Sequence, residues 1–449
     1  GPLPAILPCG RIATQDPAGP APVPPGRYTR SSMEELEARR RPPFGDNPAV
    51  GDRGRATQQA ILRAAVDAFD EAGYHHTSVE AITDRVGCSR ATFYQYFDGK
   101  EELLRRLAGQ LGDELGRLLD ALEPIEPTRG GRHLVRGWLV DLGDVYTRYR
   151  PVADTYALMV RTDPAVVTGS NVLSRRYRDA LERAVVDPRT DLADADVLSG
   201  TAAVLAYGAF HHHRLAPGPD AARFVDALAD VVHRALFGPI DAVNLAPRRP
   251  RSIPPSGRWS GDGAAVDLAD LRPKGRRTRA ELLDAAAATF VRLGYDATRV
   301  NDIVDAAGLS HGAFYRYFDD KPAVFRELAI TTSGEFVDHI RLLPDPPEGV
   351  AAWVSDHLGR YRTHQELFSM WAEAETAGVD TSAGVVEEAA SVIADALDHR
   401  DFGDVDADTV ILTALLDRVP AATFATGAFT VDEAAAGLTA FVEHGMFGR

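Results

Sequence analysis

The chain has 449 residues, 45% of them hydrophobic, and a net charge of −16. That length exceeds one core and points to roughly two to four domains, and the charge excludes nucleic-acid binding except through a local basic face. No run of about 18 apolar residues stands out as a membrane span, and Cys9 and Cys88 are too few for a disulfide framework, so a reducing cytoplasm is the expected setting.

The first residues, Gly-Pro-Leu-Pro, lack the charged and apolar pattern of a secretion signal. Residues 1–50 are rich in Pro, Gly and Arg, show no apolar periodicity and read as a disordered or weakly ordered arm. Arg39, Arg40 and Arg41 there read either as a solvated run or as a brush against a phosphate backbone. From Arg55 a helical stripe of Ala60, Ile61, Ala64, Ala65, Ala68 and Phe69 runs to Gly73, a glycine stop. Thr77-Ser78-Val79-Glu80 reads as a capping box opening a second helix with Val79, Ile82 and Val86 inward. Gly87-Cys88-Ser89 is a turn, and Ser89 is placed to cap a third helix over Arg90 to Phe97. Phe93 and Phe97 point inward, while Arg90, Thr92, Tyr94, Gln95 and Tyr96 take the remaining surface. Asp98-Gly99-Lys100-Glu101 then opens a fourth helix. Short helix, glycine turn and short helix make a helix-turn-helix, whose second helix fits a B-DNA major groove.

The unit occurs twice. Ser89–Lys100 returns as Ser310–Lys321, 221 residues later, and the offset holds without a gap from Arg55/Arg276. Phe93/Phe314, Tyr94/Tyr315, Tyr96/Tyr317, Phe97/Phe318 and Lys100/Lys321 are kept, while the residues between them differ. In the second copy Asn301 replaces the capping Glu, and Pro322 falls in a first helical turn, where proline is tolerated. Only three of the 49 basic residues are lysines, Lys100, Lys274 and Lys321, and all fall in or beside the repeated unit. Beyond each unit the pattern stays helical. Arg148-Tyr149-Arg150 recurs as Arg360-Tyr361-Arg362 at offset 212, and Leu228, Val232 and Phe237 recur as Leu438, Val442 and Phe447 at offset 210. The duplication therefore spans whole halves.

The pattern Gly-Tyr…Thr-x-Val…Ile…Gly-x-Ser…Phe-Tyr-x-Tyr-Phe-x-x-Lys resembles the TetR family of bacterial transcriptional regulators. In its tandem, pseudo-dimeric form it is similar to actinobacterial repressors of lipid-uptake operons. The resemblance implies an all-α fold of two tandem TetR-like units, each a helix-turn-helix head on a helical ligand-binding and dimerisation body. It implies an arm over 1–50, heads over 51–105 and 273–327, bodies over 106–239 and 328–449, and a linker over 240–272. A family body dimerises through its last two helices, so Leu228–Phe237 is expected to pack near Leu438–Phe447 within one chain that is monomeric in solution.

Carried over by position, the DNA-binding set is Thr77, Ser89, Arg90, Ala91, Thr92, Tyr94, Gln95, Tyr96 and Lys100, with Thr298, Ser310, His311, Gly312, Ala313, Tyr315, Arg316, Tyr317 and Lys321. Lys100 and Lys321 stand at a helix N-terminus, where the dipole disfavours a cation unless a phosphate binds there. Gln95 matches adenine and Arg316 matches guanine in bidentate geometry, so the expected partner is a double-stranded, asymmetric operator. Trp138, Tyr146, Tyr156, Met159, Phe210, Trp353, Phe368, Met370 and Trp371 are either core or the lining of a pocket for an apolar effector of lipid, acyl or sterol type. His211, His212 and His213 are adjacent on a helix, point about 100° apart and cannot converge on one metal ion. No catalytic residue, cofactor or metal site is expected, since no paired acid and base, phosphate loop or nucleophile elbow appears. Two alternatives stay open: a regulator in which only one head binds DNA and the second half is structural or protein-binding and, more remotely, an enzyme on a helical fold.

Overall fold

A computed structural model describes residues 51–74, 76–155, 164–215, 219–256, 271–344, 348–376, 379 and 385–449; the arm over 1–50 lies outside them. The first head comprises α1 (Asp52–Ala72), α2 (Val79–Val86), α3 (Arg90–Tyr96) and the start of α4 (Lys100–Asp120). Its body continues with α5 (Arg129–Arg148), α6 (Arg150–Asp154), α7 (Pro164–Ala184), α8 (Ala195–Leu215) and α9 (Ala221–Phe237). The second half repeats the order with α10 (Pro273–Leu293), α11 (Val300–Ala307), α12 (His311–Phe314) and α13 (Lys321–Ile340). Its body is α14 (Val350–Thr376), α15 (Val385–Leu397), α16 (Val405–Ala421) and α17 (Val431–Ala440). Both α16 and α17 run on into π-helical turns, Ala422–Thr426 and Phe441–Met446. Because α4 and α13 each extend from head into body, the expected domain limits at 105/106 and 327/328 fall inside continuous helices.

Local chemistry sets the helix ends. Gly73 and Gly294 terminate α1 and α10 at φ 77° and 84°, and Gly87 and Gly308 end α2 and α11 in the left-handed region at φ 70° and 65°, which costs a glycine no steric penalty. The first cap of α2 differs from the expected box. Ser78, not Thr77, caps the helix, its Oγ accepting from Ala81 N at 3.1 Å. Thr77 is buried and its hydroxyl donates to the carbonyls of Ala68 and Gly73. In the second copy Asp302 takes over the reciprocal role, accepting from Arg299 N at 2.8 Å, so the cap survives the change at Asn301 by moving one residue along. Ser89 and Ser310 cap α3 and α12 as expected, accepting from Thr92 N and Ala313 N at 3.1 and 3.2 Å.

The two bodies meet along a seam of four helices. In it α8 and α9 of the first half pack against α16, α17 and the C-terminal turn of the second. Leu228, Val231, Val232 and Leu236 share one buried cluster with Leu438, Phe441, Val442 and Met446. Close approach depends on glycine at two positions. A Cβ on Gly437 would stand 2.2 Å from Thr201 Oγ1, and one on Gly208 would stand 2.4 Å from Arg418 Cγ. A buried arginine crosses the seam, Arg234 Nε donating to Gly445 O at 2.9 Å, and within the second half buried Arg400 joins Asp408 at 2.7 Å and Met446 O.

Helix α16 with its extension, Val405–Thr426, has the length and mean hydropathy (1.2) of a membrane span. Its packing marks it as the core helix of the bundle. Asp406, Asp408 and Asp417 lie along it, and each carboxylate is partnered inside the protein, by Ser252, Arg400 and His212 respectively.

Residues 240–256, read from composition as a linker, are bound in place: Asn244 is held by His233, Arg234 and Gly238 O of the first half, and 246–256 form a strap on the second body. Arg249 N donates to Gly403 O and Gly403 N returns a bond to Ala246 O, at 2.9 and 2.8 Å. Asp406 accepts from Ser252 N and Ile253 N at 3.0 and 3.1 Å, and Arg251 pairs with Asp395 at 2.7 Å. The proline-rich composition misled because carboxylates on α15 and α16 take up the N–H groups and guanidiniums that would otherwise be left to water. Residues 257–270 of the expected linker lie outside the described residues.

Candidate nucleic-acid interface and cavity

The two recognition segments place their side chains alike. On α3, Phe93 is fully buried and so is Phe97 just beyond it, anchoring the helix, while Ser89, Arg90, Ala91, Tyr94 and Gln95 are exposed. On the second copy Phe314 and Phe318 are the anchors, and Ser310, His311, Gly312, Tyr315 and Arg316 are exposed. Thr92 and Ala313 are half-buried; Thr92 Oγ1 bonds Ser89 Oγ at 3.0 Å. The exposed rows therefore read Arg-Ala…Tyr-Gln in one head and His-Gly…Tyr-Arg in the other. His311 stacks on Tyr315 with ring centroids 6.3 Å apart. The helical turn is longer in the first copy, where α3 covers Arg90–Tyr96 against His311–Phe314 for α12.

Three expectations need correction. Tyr96 and Tyr317 are buried rather than presented to DNA. Their position, one residue before the second aromatic anchor, turns them back toward the first helix of the head, and a Cβ placed on Gly275 would lie 3.4 Å from the Tyr317 hydroxyl. Thr77 and Thr298 are likewise buried, with Thr298 Oγ1 donating to Gly294 O at 2.7 Å. Lys100 and Lys321 do not hold out a free ammonium. Lys100 Nζ donates to the carbonyls of Tyr74 (2.9 Å) and Thr77 (2.7 Å) and lies 4.7 Å from the Tyr74 ring centroid. Lys321 Nζ donates to Tyr295 O (2.8 Å) and Asp296 O (3.4 Å) and lies 4.1 Å from the Tyr295 ring. Carbonyls of the Gly-Tyr loop, which the fold brings to this helix end, offset the dipole in place of a phosphate. Lys274, noted above beside the second unit, falls outside the expected DNA-binding set. It is exposed in the first turn of α10, a turn that lies against Tyr317 and so beside the second recognition helix.

A cavity of about 1750 Å³ runs between the bodies and is lined from both halves. Of the expected pocket residues, Tyr146, Phe368 and Trp371 line it. Trp138 packs edge-on to Tyr177 in the core. Phe210 stacks on Tyr146, its ring 2.8 Å from where a Cβ on Gly143 would stand. Trp353 stacks on His339 at 4.7 Å and donates to its carbonyl, and Met370 is buried in the core of the second head. Tyr156 and Met159 lie outside the described residues.

The three adjacent histidines point to three partners: His211 to the Tyr146 hydroxyl (3.3 Å), His212 to Asp417 (2.9 Å) and His213 to Pro219 O (2.8 Å). Burial draws the His212 pKa down against the pull of Asp417, leaving a neutral ring whose Nε2–H donates to the carboxylate. Burial alone would raise Asp417, but Arg418 and the His212 bond outweigh it and hold the carboxyl below the usual carboxylate range. Tyr361, raised well above 10 by burial and then by Asp417, stays protonated. This polar group inside an aromatic cavity was not legible in sequence, because His212 and Asp417 are 205 residues apart.

Two helix-turn-helix heads on one helical body, with the last helices of each half packed together, define a double-headed helix-turn-helix fold. The family model of bacterial regulatory proteins of the tetR family matches twice, at residues 61–107 and 282–328, so each half carries a tetR-family head, in a tandem arrangement. It is 50% identical over 54 residues to the HTH-type transcriptional repressor KstR2 of Rhodococcus jostii, covering 12% of this chain and 26% of that protein. It is 42% identical over 52 residues to the probable acrEF/envCD operon repressor of Escherichia coli, covering 12% and 24%. The matches thus span about a quarter of the length of these relatives. Among solved structures, SmeT, the repressor of the Stenotrophomonas maltophilia multidrug efflux pump SmeDEF, aligns over 43% of this chain and 95% of its own at 24% identity and a TM-score of 0.32.

Proposed function

We propose that the protein is a cytoplasmic, sequence-specific transcriptional repressor whose two unlike heads read an asymmetric operator and which an apolar small molecule releases from DNA. One observation carries this reading: both heads bury the same aromatic anchors and expose different residues at the matching positions. Gln95 offers an amide pair suited to adenine, and Arg316 a fork suited to guanine. Relatives of the heads that are named operon or transcriptional repressors support the class, and the cavity between the bodies supports an effector. The intramolecular seam makes a single chain the functional unit, with no membrane and no catalytic step. Selection of random DNA with the full chain tests the reading: two different half-sites are expected, and recovery of a true palindrome would sink it.

The shorter α12 favours a second reading, in which only the first head binds and the second is structural. Separate substitution of the exposed residues Tyr94 and Gln95, then Tyr315 and Arg316, distinguishes the two. Loss of half the DNase footprint from each pair supports two working heads. An intact footprint for the Tyr315/Arg316 pair supports one.

A further inference from the structure

Duplication alone would give each half a pocket of its own, yet this cavity is continuous across the seam and its polar centre is built from both halves. Asp417 of the second half lies deep in the protein, bonded to His212 of the first, and still 35% of its side chain is exposed. That exposed surface faces the cavity, which Asp417 lines. Arg418 beside it also lines the cavity with 35% of its side chain exposed, while its Nε is buried 3.1 Å from the Asp417 carboxylate. The carboxylate and guanidinium therefore face the cavity side by side with their charges cancelled, and His212 adds none.

That balance selects against charged ligands. Beside this pair a charged head of either sign meets one attraction and one repulsion of similar size, so its charge gains little there while it still loses hydration. A neutral group that donates to the carboxylate and accepts from the guanidinium satisfies both. The surrounding walls are ring-rich, with Tyr146 and Tyr207 from one half and Phe336, Tyr361, Phe368 and Phe424 from the other. We propose that the cavity binds one uncharged, ring-bearing amphipathic molecule per chain, lying across the seam with a hydroxyl head on Asp417 and Arg418. This rests on the effector reading above and adds the stoichiometry, the head group and the anchoring residues. The ligand hydroxyl competes with His212 for Asp417, a bond that joins the halves, so binding acts on the seam itself.

Calorimetry on the full chain without DNA tests the site, with trans-4-hydroxystilbene, stilbene-4-carboxylate and 4-(aminomethyl)stilbene as probes that share one skeleton. The expected result is one hydroxystilbene per chain, with each charged analogue at least about tenfold weaker. Asp417→Asn and Arg418→Gln should each weaken hydroxystilbene by roughly 10- to 100-fold, the scale of one hydrogen bond to a charged group. Two equivalents per chain, no binding of hydroxystilbene, equal binding of the three heads, or wild-type binding by both variants would each overturn the proposal. Should Asp417→Asn fail to fold, Arg418→Gln decides, because it keeps the stem that packs on Gly208. Operator affinity is read separately. One-to-one binding that leaves it unchanged upholds the site and refutes the release step.

Discussion

Replacing Lys100 by Met separates two roles for the lysine that starts the fourth helix of the head. Its ammonium makes bonds of 2.9 and 2.7 Å to the carbonyls of Tyr74 and Thr77 and a contact of 4.7 Å with the Tyr74 ring. A buried hydrogen bond to a charged group contributes about 1.5–3 kcal/mol. This side chain is half-exposed, so about 1 kcal/mol for each bond and ~0.5 kcal/mol for the ring contact is the fitting scale. Met keeps the apolar stem and removes the rest. The head should therefore lose about 2.5 kcal/mol, roughly a seventyfold rise in its unfolded fraction. DNA affinity falls with it, but only through folding. A phosphate contact would behave differently, since each one lost lowers the slope of log K against log salt by about 0.9. Anisotropy titrations of a bound operator across a salt series, paired with thermal melts of Lys100→Met and Lys321→Met, read both quantities. The expected result is a lower melting temperature with an unchanged slope. A slope reduced by about one at an unchanged melting temperature would refute the structural role.

Gln95→Ala and Arg316→Ala should each cost about 1–3 kcal/mol on the selected operator and little on random DNA, with specificity relaxed at one half-site each; competition binding checks this, and equal losses on both DNAs would count against base reading. Burial brings the His357 pKa down to about 4 while its Nε2 is bonded to Leu416 O at 2.8 Å. The unfolded ring takes a proton below about pH 6.5 and the folded ring does not until about 4, so stability is full above that window and is lost as pH falls through it, by on the order of 3 kcal/mol. Urea midpoints between neutral and mildly acidic pH should show this dependence, and His357→Asn should flatten it; an unchanged profile in the variant contradicts the assignment. Asp406→Ala removes the acceptor for Ser252 N, Ile253 N and the Ser252 hydroxyl, so trypsin should cut at Arg248–Arg251 several times faster, with an unaltered rate ruling out the strap. Hydrogen exchange should show the second head opening as a unit of its own, while the first head exchanges together with its body.

The heads were largely legible because their signals are local. Aromatic anchors four apart, glycines that end helices and serines that cap them act over one or two turns, and Phe93, Phe97, Ser89 and their counterparts took their expected places. Tyr96, Tyr317 and the two lysines were misjudged for one shared reason. Helical spacing tells which side chains share a face of their own helix, but not which other element packs against that face. The strap and the polar centre of the cavity failed for a related reason. Asp406 reaches back 154 residues to Ser252, and Asp417 reaches 205 to His212, and no periodicity records such pairings.

The halves are duplicated in sequence but not in how their heads are attached. The core of the first head is continuous with the bundle: Ile61, Phe69, Phe93 and Leu107 belong to the same buried cluster as Leu198 and Leu228. The second head has a core of its own, with Leu282, Phe290, Phe314 and Phe325 closed over by Leu367, Met370 and Ala374 of α14. It also holds a buried Arg279–Glu327 pair, where the first copy has Gln58 and Arg106 in register. Helices α13 and α14 alone carry residues in both clusters: Val324 and Phe325 against Val337 and Ile340, Leu367 and Met370 against Trp353 and Leu358. The cavity touches these same two helices at Phe336, Ile340, His357 and Phe368. It also touches the first head directly, at Phe69, Asp70, Gly73 and Tyr74, so on the proposed effector reading a ligand meets the first head at the cavity wall and reaches the second only through α13 and α14, which join two separate cores. If the proposed effector mechanism holds, a change in head spacing comes from unequal displacement of two heads that are coupled to the cavity differently, one at its wall and one through two helices.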